Sequence, residues 1–481
     1  MAIERTTSGP ELLLTLDRAG GGLLRGQLEQ ALRAAVRAGR LPAGCRLPST
    51  RALAADLGVS RGVVVEAYAQ LVGEGYLEAH PGSGTRVAGG MVAHPSAQPP
   101  SRTAAGEVPV VLGGGPGGGV VIDFRPGVPE LAAFPRAAWA TALRRAVLGA
   151  PTAALGYGDP AGAGELRAAL AGYLGRVRGV EAAAAGVLVT AGFAQAVALL
   201  ARGLPSRLGR AVAVEDPGSP GTREQLAGNG LEPVPVGVDE EGLRVDELAR
   251  GPARVVVVTP AHQSPTGVVL SPDRRAALLA WARAADGLVV EDDYDAEYRY
   301  DRDPVGALQG LAPELVCYAG SVSKTLAPAL RIGWMVPPRS LWPALARAKA
   351  ADDLGCPTLE QLALADLLGS GAYDRHLRRG RARYRRRRDA LAAALDRHVP
   401  GLQVGGTAAG LHAVVELGDD VDEEDLIRRA AVEAGVGLHG LTPWRFGGRG
   451  APGLVLGYAS LTEHQITEGI RRVAPLLSGR R

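Results

Sequence analysis

At 481 residues with 46% hydrophobic side chains, the chain is too long for one ordinary domain and apolar enough for two or three packed cores, which excludes a disordered or fibrous protein. Its 53 basic and 50 acidic residues leave a formal net charge of +3, so nucleic acid cannot be held by charge excess, and any such site must come from charge placement. Cys45, Cys317 and Cys356 lie far apart with no CxxC pair, which argues against metal ligation and a disulfide framework, and with neither a signal peptide nor a long apolar run the expectation is a soluble cytoplasmic protein without membrane contact.

Residues 24–38 carry Leu28, Ala31, Leu32 and Ala35 at helical spacing. A turn at 41–44 leads to Leu47-Pro48-Ser49-Thr50-Arg51, where Ser49 suits the N-cap of a short helix ending at Gly58. Ser60 suits the cap of a third helix whose apolar face is Val64, Ala67, Tyr68 and Leu71, and Gly75 ends it. The runs 76–79 and 85–88 flank His80-Pro81-Gly82-Ser83-Gly84 as a hairpin. This order is that of a winged helix-turn-helix.

Residues 24–88 resemble the GntR family of DNA-binding domains, through Leu47-Pro48-Ser49-Thr50-Arg51, Gly58-Val59-Ser60-Arg61 and Gly82-Ser83-Gly84-Thr85. The resemblance implies that the N-terminal end of the third helix, Ser60, Arg61, Gly62 and Val63, enters the major groove of double-stranded operator DNA. Arg61 is then the donor to guanine, Arg46 and Arg51 lie over the backbone, Ser49 and Ser60 bond phosphates, and His80, Gly82 and Gly84 belong to the wing. Val65 stands where some members carry a further Arg.

From residue 89 to 119 periodicity fails among Pro, Ser and Gly, which predicts a flexible linker between a 1–88 DNA-binding domain and a 120–481 effector domain. Beyond it, apolar runs at 187–190, 211–215, 255–259, 288–292 and 316–320 alternate with helix-prone segments, predicting a largely parallel sheet covered on both faces. In such sheets ligands sit at the carboxyl ends of the strands, and the polar residues gather there.

One residue in that set is unusual by composition. Only two of the basic residues are lysine, Lys324 and Lys349. An amine freed of its proton by burial can form an imine with a carbonyl, which a guanidinium cannot. Around Lys324 the pattern supplies Ser321, Ser323 and Arg331, the strand-end acid Asp292 with Tyr294, and the turn Gly192-Phe193-Ala194 opening a helix whose free amides suit a phosphate. Asp292 stands in a cluster with Glu291, Asp293, Asp295 and Glu297, any of which could instead be a charged loop residue.

Residues 120–475 resemble the fold type I aminotransferases in the order of these motifs. The resemblance implies pyridoxal 5′-phosphate held as an aldimine by Lys324, with Asp292 at the pyridine nitrogen and Tyr294 at the ring hydroxyl. Arg331, Ser321, Ser323 and the amides of Phe193 and Ala194, next to Gly192, would hold the phosphate, and Tyr157 would reach it from the partner subunit of a homodimer. The two halves together, with the runs 262–267 and 291–295, are similar to the MocR/GabR regulators, a winged helix-turn-helix joined to an α/β aminotransferase-like domain. That implies a DNA-binding regulator sensing the cofactor, an amine or an amino acid; an active aminotransferase that regulates its own gene is the alternative.

Several positions depart from the pattern. Ser264 stands where aminotransferases carry an Asn at the ring hydroxyl, Ser219 where relatives carry Tyr, and Gly221 where a GABA-responsive relative has Arg. Val455 occupies the place of the Arg that clamps a substrate carboxylate, leaving Arg125, Arg445 and Arg449 as substitutes. The Arg-rich run 375–388, with Leu377, Tyr384 and Leu391 at sevenfold spacing, is expected to be a helix with one apolar stripe and a solvated basic face.

Overall fold

The computed structural model describes residues 16, 23–80, 84–89, 121–300, 305–448 and 450–478. Gly82, Arg449 and the expected linker from residue 90 onward lie outside them. The chain divides into two compact units at residue 110.

In the smaller unit α1 (Leu24–Arg37), α2 (Thr50–Leu57) and α3 (Arg61–Gly73) precede the antiparallel hairpin β1 (Leu77–His80) and β2 (Gly84–Val87). Leu28, Leu32, Ala35 and Val36 of α1 meet Val64, Ala67, Tyr68 and Leu71 of α3 in one core. The Ser49 hydroxyl caps α2 by accepting the Ala52 N–H at 3.2 Å, and Gly58, at φ 61°, closes that helix. Ser60 occupies the N-cap position of α3 but, contrary to expectation, its side chain makes no capping bond. Tyr68 on α3 donates to Pro48 O at 3.0 Å, which ties α3 to the turn before α2.

The larger unit is built on an eight-stranded sheet. Its strands, after the short β3 (Ile122–Asp123), are β4 (Leu188–Thr190), β5 (Ala211–Asp216), β6 (Glu232–Asp239), β7 (Gly242–Leu243), β8 (Val255–Val258), β9 (Leu288–Asp293), β10 (Val316–Ser321) and β11 (Gly333–Val336). The spatial order is β4-β11-β10-β9-β8-β5-β6-β7. Strands β6, β5, β8, β9 and β10 are parallel neighbours, while β11 runs antiparallel to both β10 and β4. All four valines of β8 are buried, as a strand covered on both faces requires. A second layer holds β12 (His412–Glu416) against β14 (Gly453–Gly457), and β13 (Val436–Gly437) beside β3. The Arg-rich run lies in one long helix, Ala372–His398, whose buried stripe includes Leu377, Tyr384 and Leu391. Among the described residues no helix is long and apolar enough to cross a membrane.

Of the three strands of this sheet outside the apolar-run reading, β6, β7 and β11, two escape it for identifiable physical reasons. Pro233 and Pro235 argue against a strand, but residues two apart share one side of it, and β7 covers only Val238 and Asp239. The prolines therefore need no donor on the open side. β11 reads Gly-Trp-Met-Val, with a glycine at its start and a single β-branched residue, so it lacks the β-branched run that marks its neighbours.

The sheet is fixed to its helical cover by a buried ion pair. Arg178, at the end of the helix Gly164–Arg178, donates to Asp293 on β9 at 2.7 Å and to Val305 O at 2.6 Å, while the Tyr318 hydroxyl donates to Asp293 at 2.6 Å. Removing one partner strands a buried charge. Arg178→Ala should destabilise this unit by ~3–5 kcal/mol. All five tryptophans lie beyond residue 110, so urea unfolding followed by their fluorescence reports this unit alone; an unchanged midpoint would remove the pair from the stability of the fold.

Candidate functional site

Lys324 follows the end of β10 and its Nζ donates to Gly127 O at 2.6 Å. Gly127 adopts φ 75°, and a Cβ there would lie 3.2 Å from that nitrogen, so the approach requires glycine. Burial lowers the lysine's affinity for its proton, with Asp295 and Asp292 acting in the opposite direction. The amine is thus shifted toward its nucleophilic form.

The structure sorts the acidic cluster. Glu291 accepts the Leu308 and Gln309 N–H groups at 2.9 and 3.0 Å, Asp293 holds Arg178, Asp295 faces His262 at 3.0 Å, and Glu297 accepts the Tyr173 hydroxyl at 3.2 Å. Strand alternation turns Asp292 to the face opposite Glu291 and Asp293. Among the described residues no donor bonds its carboxylate. Burial, then Asp293, Asp295 and Glu215, push it up to about 8, and Lys324 opposes them. A carboxylate so placed is ready for a cationic donor that the protein itself does not provide.

Tyr294 stands beside it, its hydroxyl 3.1 Å from His262 Nδ1 and next to Ser264, whose N–H donates to Thr259 Oγ1 at 3.1 Å. His262 lies 5.8 Å, ring to ring, from His412, which donates from Nε2 to Pro265 O at 3.1 Å; burial lowers His412 to about 3 and keeps it neutral. Glu215 is buried behind them and pushed up to about 7 by desolvation. Sequence reasoning did not assign roles to Gly127, His262, Asp295 or Glu215. The first is visible only as a close approach, and the others would have needed the strand ends to be brought side by side.

At the other side of the cleft Gly192, at φ 87°, heads the helix Phe193–Gly203. Its carbonyl takes the Gln195 and Ala196 N–H groups, and Gln195 Oε1 takes that of Ala191. The Phe193 and Ala194 N–H groups have no acceptor among the described residues. The Arg331 guanidinium donates to Ala191 O, and a Cβ on Gly192 would sit 3.0 Å from it. Ser321 and Ser323, joined by a 3.4 Å bond from the Ser323 N–H, are half-buried beside Lys324. Two amides without a described acceptor, an exposed guanidinium and two hydroxyls are donors of the kinds a phosphate takes.

The predicted residue Tyr157 and two of the departing positions, Ser219 and Val455, have other surroundings. Tyr157 is 91% exposed on the surface with Leu155 and Leu148. The Ser219 hydroxyl is occupied in capping the helix Pro220–Gly228. Val455 is buried with Val414, Leu441 and Trp444, so an apolar cluster fills the place of a carboxylate clamp. Of the substitutes, Arg125 pairs with Asp123 at 3.2 Å, and Arg445 is half-buried with its Nε unpartnered. Among the described residues no group of three or more His, Cys, Asp or Glu is arranged to hold a metal ion.

In the smaller unit Arg46, Ser49, Arg51, Ser60, Arg61, Gly62, His80 and Gly84 are exposed. Ser49 Oγ accepts the Ala52 N–H, yet its own hydrogen remains able to donate. Arg46 lies against Gly84 and joins the wing by a bridge to Arg86. His80 Nε2 is 3.5 Å from Glu78. Val63 differs from its neighbours: it is half-buried and packs on the core, so its side chain serves the fold rather than a groove.

Comparison with known proteins matches residues 24–87 to "Bacterial regulatory proteins, gntR family" and residues 121–473 to "Aminotransferase class I and II". The chain is 36% identical to "Probable rhizopine catabolism regulatory protein MocR" of Rhizobium meliloti, covering 95% of this chain and 94% of that one. It is 35% identical to "HTH-type pyridoxine biosynthesis transcriptional regulator PdxR" of Corynebacterium glutamicum, covering 94% and 95%. Among solved structures, LysN, an alpha-aminoadipate aminotransferase from Thermus thermophilus, superposes with a TM-score of 0.68 at 31% identity, covering 75% of this chain and 93% of that one. With both regions present and relatives matched along nearly their whole length, the chain belongs to the MocR/GabR subfamily of GntR-family transcriptional regulators, DNA-binding proteins that carry an aminotransferase-like domain.

Proposed function

We propose that residues 120–481 bind pyridoxal 5′-phosphate and sense it, or an amine that reacts with it, while residues 1–88 read operator DNA and 89–119 connect them in a cytoplasmic homodimer. The observation that carries this is Asp292, a half-buried carboxyl that no described donor bonds and that desolvation makes a weaker acid, together with an amine shifted toward its neutral form and a helix N-terminus whose first amides are open. The donor set fits the cofactor at each end. Bound there, the cofactor supplies an aldehyde that captures amines and a ring that withdraws electrons. Lys324 holds the aldehyde carbon, Asp292 keeps the ring nitrogen protonated, and Tyr294 with Ser264 faces the ring hydroxyl. The amides of Phe193 and Ala194, with Gly192, Arg331, Ser321 and Ser323, take the phosphate. Tyr157, 91% exposed, is free to reach a second subunit.

Regulation requires the ligand to bind two arrangements of the dimer with different affinity. Arg61 at the start of α3 reads bases, and Arg46, Arg51, Ser49, Ser60, His80 and the wing glycines hold the backbone. An active aminotransferase is the second reading. It is favoured by 32% identity to the "2-aminoadipate transaminase" of Thermus thermophilus over 75% of this chain. The buried Val455 cluster weighs against it, since an apolar side chain occupies the position where the resemblance puts the carboxylate-clamping Arg.

Operator titration with and without the cofactor tests the first reading. Affinity should change at least about fivefold on adding pyridoxal 5′-phosphate, and Lys324→Ala should lose both that response and the visible absorption of the bound cofactor. Rapid single-turnover conversion to the amino form with an amino acid, without any change in operator affinity, would favour the enzyme instead. Arg61→Ala should lower operator affinity by about 10–100-fold with the oligomeric state unchanged; unchanged affinity would remove Arg61 from base reading.

The cofactor-free protein offers a separate check. Asp292 is raised in the fold from its ordinary 3.8 to about 8. Between those values the unfolded chain releases the proton while the native state retains it, so this residue's destabilising effect grows with pH and is complete above pH 8. Asp292→Asn should therefore stabilise the cofactor-free protein at pH 8–9, on the order of 3 kcal/mol, and confer almost nothing near pH 4. Thermal unfolding across that range measures it; equal effects at both ends would contradict the uncompensated carboxylate.

A further inference from the structure

We infer that Asp295 and His262 set the direction in which the Tyr294 phenol offers its hydrogen, a positioning role that rests on the cofactor reading above. His262 and Asp295 are 3% and 1% exposed. His262 Nδ1 lies 3.0 and 3.2 Å from the two carboxylate oxygens and 3.1 Å from the phenol oxygen. A carboxylate only accepts, so Nδ1 carries the hydrogen, and this one hydrogen is shared between Asp295 and the phenol. The phenol oxygen then receives from His262 and cannot donate to it. Ser264 is hydrogen-bonded to the same phenol oxygen in the sense that favours its anion, so the phenol's own hydrogen is left for a further acceptor, which in the loaded site would be the cofactor's ring oxygen.

The backbone holds this pair in place. A Cβ on Gly410 would lie 2.2 Å from His262 Cε1 and 2.7 Å from Asp295 Oδ2, so bare backbone presses on both. The Gly410 carbonyl receives the Tyr300 and Tyr458 hydroxyls, and its N–H donates to Tyr298 O at 2.7 Å. The other titratable groups facing the pair are His412 from β12, Asp292 and Glu215 from the strand ends, Lys324, and the tyrosines Tyr300 and Tyr458. His412 uses its Nε2 hydrogen on Pro265 O and stays neutral, so it places no cation beside His262.

Replacing Asp295 by its amide reverses the arrangement. The introduced amide N–H would donate to Nδ1, the imidazole would move its hydrogen to Nε2, and the phenol would turn its hydrogen to His262, away from the cofactor. A phenol that donates to the ring oxygen stabilises that oxygen's anion, so losing the donation makes the loaded site hold its proton to higher pH.

The test is a pH titration of the visible band of cofactor-loaded protein. Asp295→Asn should raise the midpoint by about one unit, a tenfold change in the proton equilibrium. Tyr294→Phe should raise it as well, and Asp295→Asn should add nothing in the Tyr294→Phe background, because both act through one hydrogen bond. His262→Gln, whose amide can still donate to the phenol, should fall between wild type and Asp295→Asn. An unmoved midpoint in Asp295→Asn, or a shift of the same size in both backgrounds, overturns the inference. If Asp295→Asn does not fold by circular dichroism, His262→Gln decides, and wild-type behaviour there overturns it. Absence of a visible band in the wild-type protein supplied with cofactor defeats the cofactor reading itself, and this inference with it.

Discussion

Burying an amine and a carboxylate in one cleft without letting them neutralise each other is costly, because neither keeps the water that stabilised its charge. Lys324 gives its hydrogen bond to a backbone carbonyl, and Asp292 receives none among the described residues. Each is shifted toward its neutral form by burial. The rest of the larger unit makes this tenable. The parallel strands deliver Asp292, Ser264 and Lys324 to one edge, and the Arg178–Asp293 pair absorbs the neighbouring charge on the opposite face of β9. A fold that holds an amine and a carboxyl away from their charged forms gains stability from a ligand that binds the native state and pairs them.

Much of this was legible before any coordinates. The five apolar runs are five strands of one sheet, and the carboxyl-edge rule put Lys324, Asp292 and Gly192 near one another without any tertiary information. The helical stripe of α3 was read residue for residue, because a small three-helix unit has only one face to bury. What stayed hidden depends on contact rather than pattern. The Glu291–Asp295 run is five polar residues in a row, and only the partners of its neighbours show which carboxylate is spare. Val63 reads as a groove residue from its position in the motif, yet it faces inward because half a turn separates it from Arg61. The strand carrying Pro233 and Pro235 was disguised by the very residues its open side tolerates.

The smaller unit shows a different economy. Its core closes on fourteen buried apolar residues, and nearly every exposed residue at the start of α2 and α3 is polar or glycine. Ser49 accepts a helix N–H while Ser60 makes no cap, so two hydroxyls that look equivalent in sequence differ in their local role, though each keeps its own hydrogen for a phosphate.

The hydrogen bond from Lys324 to Gly127 O reaches further than the cleft. Gly127 lies four residues past β3, the first strand after the connecting segment, and β3 is paired with β13 while Phe124 O receives the Gly457 N–H. The lysine is therefore moored to the first described stretch of the larger unit, which also pairs with β13 and bonds to the end of β14. Whatever changes the bonding of that one nitrogen also changes what Gly127 O is bonded to, four residues from the first strand of the larger unit.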